Sequence, residues 1–234
     1  MVNNWLLMAR TGETFPPSVC FLCGANAGPC HLFCKSCQRD FARIIKACPK
    51  CGRGVLHGGL PCPSCSKQPP AYDCLIAPFY YAYPVSLLIK LLKYKNKIEI
   101  SHELGGALAD QIRARGRPLP EAVIPVPLHP LRTIARGYNQ ACEIALAVAA
   151  RLNLPVETGL VRRIRHTQPQ VNLSPRQRRI NMRGAFKLRP GHGYRSVAIV
   201  DDVVTTGATA NEMAMLLRRA GMKTIEVWAC ARTD

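Results

Sequence analysis

The chain has 234 residues, enough for one medium domain with a real core plus a small module, and its apolar fraction of 48% is that of a globular protein. Its 32 Lys and Arg against 14 Asp and Glu give a net charge of +18, which favours phosphate-bearing partners: nucleic acid, nucleotide or anionic sugar. No stretch approaches the ~20 apolar residues of a membrane span, and MVNNWLLMARTGETF lacks the basic start and apolar length of a signal peptide, so a cytoplasmic location is expected.

Twelve cysteines in a reducing compartment point to metal ligands before disulfides. Nine of them precede residue 66. Cys20-x-x-Cys23, Cys34-x-x-Cys37, Cys48-x-x-Cys51 and Cys62-x-x-Cys65 recur every 14 residues. A CxxC turn brings two sulfurs together, and two such turns complete a tetrahedral zinc site. Four turns therefore suit two Zn²⁺ ions, with the turns paired in sequence or interleaved. Four cysteine ligands leave no open position for water, so the role expected is structural. Gly24 and Gly52 follow their turns as a tight knuckle favours. A redox CxxC is the rival reading, but it ordinarily occurs once, beside a βαβ unit. Cys30 and His31 are spare candidates ranked below the regular set.

Pro69 and Pro70 break the pattern in KQPPAYD, 67 to 73. The expected organisation is a zinc-ribbon module over 1–70 and a main domain over 71–234. In the main domain AYDCLIAPFYYAY, 71 to 83, is aromatic and apolar and predicts a strand. PVSLLIKLLKY, 84 to 94, has helical apolar spacing, and ISHELGGALADQIRAR, 100 to 115, continues as helix. EAVIPVP, 121 to 127, predicts a short strand, and NQACEIALAVAARL, 139 to 152, a helix of strong formers. SVAIVDD, 196 to 202, has the apolar run of a strand covered on both faces. ATANEMAMLLRRAG, 208 to 221, is a helix with Gly221 placed to end it, and KTIEVWACA, 223 to 231, a final strand. This alternation predicts a largely parallel sheet flanked by helices.

In such sheets ligands bind beyond the carboxyl ends of the strands, where Asp201 and Asp202 fall. Two adjacent acids can accept hydrogen bonds from a vicinal diol such as that of ribose. Thr205, Thr206, Gly207, Ala208 and Thr209 then lead into a helix, and their amides and hydroxyls suit a phosphate. Together they describe a pocket for ribose 5-phosphate. If the acids merely capped the helix, one would suffice.

VAIVDDVVTTGAT, 197 to 209, resembles the PRPP-binding motif of type I phosphoribosyltransferases. With the N-terminal cysteine module, the Pro-Leu…Arg-Gly-Tyr-Asn-Gln segment and the final VWACART, nearly the whole chain resembles the ComF family, including its GntX-like members. The resemblance implies the phosphoribosyltransferase fold, PRPP binding, and a link to natural competence, DNA uptake or use of external DNA; in an enzyme, Mg²⁺ should bridge the diphosphate and ribose hydroxyls of PRPP.

Other segments follow from this frame. Arg132, Arg136 and Gly137, in PVPLHPLRTIARGYNQ, lie near the pyrophosphate in the family, and two arginines at a strand end can neutralise a diphosphate. Lys93, with Tyr94 at a helix end, is a further anion-site candidate. The span 162–183 has seven arginines and no acid. Its Arg176, Arg178 and Arg179, after Ser174-Pro175, suit a hood over PRPP, a contact to single-stranded DNA, or a solvated surface. One departure bears on chemistry. Thr205 stands where purine-salvage enzymes carry an acidic base, and no other residue stands out as one; His129, Glu143 and Glu212 read as structural or surface groups. The leading expectation is a PRPP-binding ComF-type protein, with transfer to an unnamed acceptor left open. The alternatives are a zinc-ribbon nucleic-acid-binding protein with PRPP as regulator, and a scaffold for a helicase-like partner.

Overall fold

The structure is a computed structural model that describes residues 18–29, 31–165, 174–191 and 193–233. The chain divides into two compact units, one ending at Asp40 and one beginning at Phe41. In the first, β1 (Ser18–Val19) pairs antiparallel with β2 (Asn26–Gly28), and α1 (Lys35–Arg39) follows. The Cys34 sulfur caps α1 by accepting from the Cys37 amide. The third and fourth CxxC turns fall in the larger unit.

The larger unit starts with a knuckle that includes α2 (Pro63–Lys67). Its packing explains why it belongs there. A Cβ on Gly54 would lie 1.9 Å from the Tyr80 hydroxyl, and one on Gly52 would lie 2.3 Å from Leu75 Cδ2. Backbone of this segment thus lies directly on the sheet's edge. Arg43 bridges to Phe79 and stacks over its ring at 5.1 Å.

The span 71–83 forms two short strands, β3 (Cys74–Ile76) and β4 (Phe79–Tyr80), separated at Ala77-Pro78, rather than one. α3 (Val85–Tyr94) buries Val85, Leu88, Ile89 and Leu92, the i, i+3, i+4, i+7 spacing of one helix face. α4 (Glu99–Ala114) leads to β5 (Ala122–Pro125). The sequence did not separate α5 (Pro130–Arg136), which is capped by His129 and ended by Gly137 at φ +79°. α6 (Gln140–Leu152) is capped by Asn139. β6 (Val161–Arg163) and β7 (Phe186–Leu188) form an antiparallel ribbon around α7 (Pro175–Met182), which opens with a Ser174–Gln177 capping box. β8 (Ser196–Val204), α8 (Ala208–Arg219) and β9 (Thr224–Arg232) complete the domain.

The main sheet is parallel, in the order β3-β9-β8-β5, with β4 extending the β3 edge of β9. Val197 and Ile199 of β8 share a core cluster with Ile225 and Val227 of β9 and with Met213 and Leu217 of α8. The alternate residues Ala198 and Val200 are equally buried, so β8 is covered on both faces. α6 packs on β5 and β8, and α4 packs on β9 and β3. α4 and α6 meet closely: a Cβ on Gly105 would lie 2.8 Å from that of Ala147. This is the expected α/β class, a parallel sheet flanked by helices. No helix among the described residues is long and apolar enough to cross a membrane.

Candidate functional site

The neighbouring strands β5 and β8 run in parallel register, so their carboxyl ends open on the same side. A cleft of about 950 Å³ lies there. Asp201, Asp202, Thr205, Gly207, Ala208 and Thr209 line it from β8 and the loop into α8. Lys93 and Tyr94 line it from the end of α3, Arg132 and Arg136 from α5, and Gln140 from α6. Segments far apart in sequence thus converge on one space, and they are the segments the sequence singled out. Thr206 and Gly137 are not part of the lining. Thr206 Oγ1 instead accepts from the Ala208 amide at 3.4 Å, shaping the turn. Gly137 ends α5 in the left-handed conformation that favours glycine.

The acid pair is held by its own backbone. The Asp202 amide donates to Asp201 Oδ1 at 2.9 Å, and the Val203 amide donates to Asp202 Oδ1 at 2.8 Å. Lys93 Nζ lies 2.6 Å from Asp202 Oδ2. Burial and the neighbouring Asp202 push the Asp201 carboxyl up to about 8, although Lys93 pulls the other way. Burial opposes the charge of Lys93, but Asp202 and Asp201 outweigh it and hold its ammonium above the usual range.

On the opposite wall Arg136 donates from Nη1 to Gln140 Oε1 at 3.0 Å and stacks over the Tyr94 ring at 5.3 Å. Burial and Arg136 depress Arg132. Arg163 from β6 also lines the cleft and is 8% exposed. Burial and Arg132 bring its guanidinium down to about 10, against the pull of Asp201. The sequence marked Arg163 only as one of an arginine run. Its place on a strand facing the acid pair depends on the β6–β7 pairing, which no local pattern signals.

Gly207 takes φ +76° as the residue before α8. The Thr206 hydroxyl accepts from the helix's first amide, that of Ala208, and a helix start turned by glycine is a favourable place for a phosphate. The loop HTQPQVNL, 166 to 173, lies outside the described residues. Arg176, Arg178 and Arg179 lie on α7, next to the ribbon that contributes Arg163. His129 caps α5 through its ring nitrogen rather than lining the cleft. Among the described residues, the carboxylates on the cleft wall are Asp201 and Asp202 alone.

The cysteines form two separate clusters, Cys20, Cys23, Cys34 and Cys37, and Cys48, Cys51, Cys62 and Cys65. In each, the four sulfurs lie within 4.8 Å of one another. Pairing is therefore sequential, first turn with second and third with fourth. Each cluster could hold one metal ion. Amides aim at the sulfurs: Cys34 N donates to Cys20 Sγ at 3.3 Å, and Cys62 N donates to Cys48 Sγ at 3.2 Å. Burial opposes ionisation of Cys20 and Cys48, but these and neighbouring amides outweigh it and bring the thiols to about 6 and about 7. A thiolate is the ligand a metal needs. Cys30 lies outside the described residues.

No family model matches the chain. Curated relatives match almost end to end. Competence protein F of Haemophilus influenzae is 37% identical over 223 residues, covering 91% of this chain and 97% of that protein. DNA utilization protein YhgH of Escherichia coli K12 is 36% identical over 222 residues, covering 93% and 98%. Amidophosphoribosyltransferase of Escherichia coli K12 is 25% identical over 168 residues, covering 71% of this chain and 30% of that one. Among solved structures, an adenine phosphoribosyltransferase from Leishmania tarentolae covers 68% of this chain at a TM-score of 0.38 and 17% identity. Identity at this level over the full length of competence protein F and of YhgH is decisive: the chain belongs to the ComF family.

Proposed function

We propose that the chain binds PRPP in this cleft and serves competence or DNA utilization, the roles its relatives' names carry. The observation that supports the reading is the convergence of an acid pair, a glycine-turned loop at a helix start and five cations, Lys90, Lys93, Arg132, Arg136 and Arg163, on one cleft. Asp201 and Asp202 take the ribose hydroxyls. The amides of 205–209 take the 5-phosphate. Lys93, Arg132 and Arg136 face the diphosphate, with Lys93 exchanging part of its contact with Asp202 for the ligand. Mg²⁺ would arrive with the diphosphate, since it keeps few protein ligands. Among the described residues, the groups of three or more metal-ligating side chains are the two cysteine clusters alone.

Where PRPP is turned over, an acceptor's lone pair bonds to C1 of the ribose as the bond from C1 to the pyrophosphate oxygen breaks; that electron pair leaves with pyrophosphate, and an amine acceptor then gives its proton to water. Arginine and lysine stabilise that charge, so electrostatics rather than proton transfer would lower the barrier. With Thr205 in place of an acid, the described wall offers no general base beyond the diol-binding pair. This favours an amine or an acceptor already able to attack.

The two cysteine clusters hold structural Zn²⁺, which four-cysteine tetrahedral sites suit. Ionisable cysteines of this kind fit a reducing cytoplasm. Single-stranded DNA would reach the arginines of α7, and a helicase-like partner would use the cysteine units. Titrating PRPP and single-stranded DNA separately into the zinc-loaded protein tests the reading. PRPP binding that survives at high salt, with DNA binding that does not, is the expected pair of results.

A further inference from the structure

β9 ends at Arg232, and the parallel register sets that residue beside Val204, the last residue of β8. Arg232 is 3% exposed, and its guanidinium reaches in two directions. Nε donates to Cys51 O at 3.0 Å, inside the second cysteine cluster. Nη1 donates to Val204 O at 3.1 Å and to Thr205 O, at the start of the phosphate loop. A second bridge runs alongside. Tyr72 is 3% exposed, and a Cβ on Gly207 would lie 3.2 Å from its hydroxyl. The same phenol lies close enough to Cys51, Cys65 and Cys48 to respond to their charge.

We propose that Arg232 is a positioning residue that ties the second cysteine cluster to the phosphate loop, so that metal in the cluster and phosphate on the loop strengthen each other's binding. Two physical steps carry the link. In a trans peptide the C=O and the following N–H point in opposite directions. Arg232 holds the Val204 and Thr205 carbonyls, so the Thr205 and Thr206 amides are turned away from it. Charge supplies the second step. A divalent ion held by four thiolates leaves the cluster negative, and a loop phosphate is negative too. No described salt bridge gives Arg232 a carboxylate. Alone the two anionic sites would repel; the buried cation between them offsets that repulsion, so that filling one does not oppose filling the other, and the ordering of Arg232 against both carries the gain. Coupling of this kind is reciprocal: each ligand must raise the other's affinity by the same factor.

This proposal rests on the reading of 205–209 as a phosphate site, and the test separates the two. The full-length, zinc-loaded protein is titrated with a chelator, with and without saturating ribose 5-phosphate. A Cys23→Ser/Cys37→Ser variant empties the first cluster, so that the second is followed alone. Ribose 5-phosphate is expected to raise the second cluster's zinc affinity roughly tenfold, a common size for allosteric coupling. The first cluster, studied in Cys51→Ser/Cys65→Ser protein, should not respond. Arg232→Gln should abolish the linkage, and Arg232→Lys should restore part of it. Amide exchange at 204–207, measured without ligand, should quicken when the second cluster is emptied; this readout stands even where Arg232→Gln fails to fold. Zinc affinity unchanged by ribose 5-phosphate that calorimetry shows to be bound would overturn the linkage and leave the phosphate site standing. Failure of both ribose 5-phosphate and PRPP to bind would overturn both.

Discussion

Lys93 Nζ and Asp202 Oδ2 stand 2.6 Å apart, joining the end of α3 to the end of β8 across the floor of the cleft. The pair neutralises Asp202, the buried member of two adjacent acids. It also places a cation where the diphosphate of PRPP would arrive. Replacing Lys93 with Met keeps most of the side chain's bulk but leaves two acids facing each other. PRPP affinity should fall by tenfold or more, on the order of 1.4 kcal/mol. Isothermal titration calorimetry of the folded variant checks this, and unchanged affinity would remove Lys93 from the site.

Asp201 makes a pH prediction with a definite sign. Its carboxyl is raised to about 8 in the folded protein, against an ordinary value of about 4. Between those values the folded state keeps a proton that the unfolded chain has released. Its stabilising contribution is therefore full below the lower value and is lost as pH rises through the upper one. Asp201→Asn cannot ionise. It should melt a few degrees above the unaltered protein at pH 8 and lose that advantage near pH 4. A melting temperature lowered at pH 8 would contradict the assignment of burial and Asp202 as the cause.

Elemental analysis of freshly prepared, reduced protein should find two zinc ions per chain. Cys48→Ser/Cys51→Ser should lower the melting temperature of the larger unit, because Gly52 and Gly54 press the knuckle onto β3 and β4 and metal binding is coupled to folding. The matching change at Cys20 and Cys23 should leave that transition in place. Protein free of zinc, or equal effects of the two changes, would argue against two independent structural sites.

What the sequence made legible was local. The SVAIVDD strand, the helix over 208–219 and the four CxxC turns each carry their signal within a few residues. What it hid depends on distant partners. The third and fourth CxxC turns fall in the larger unit because Gly54 lies against Tyr80 and Arg43 against Phe79, contacts no local pattern marks. Arg163 and Arg232 became cleft and loop residues through strand pairing, one with Phe186 and one with Val204. α5 was hidden by its proline, histidine and glycine, which read as loop residues and turn out to be its start, cap and end.

The arginines of α7 offer a choice between two ligands. With alanine at 176, 178 and 179, a hood that closes over PRPP should lose PRPP affinity and its ligand-dependent protection from trypsin. A DNA-binding face should instead lose affinity for all single-stranded sequences alike, with a salt slope shallower by about 0.7 for each phosphate the arginines no longer neutralise. Filter binding across a salt series and calorimetry on the same preparation decide between them. Normal affinity for both ligands would leave a solvated surface.

The role proposed for Asp201 and Asp202 is to bind the ribose of PRPP. Calorimetric titration of PRPP into the zinc-loaded protein and into Asp201→Asn/Asp202→Asn protein of unchanged circular dichroism tests it most directly. Binding by the first and a loss of at least a hundredfold, about 2.7 kcal/mol, in the second is the expected result. Equal affinity in the two proteins would contradict it.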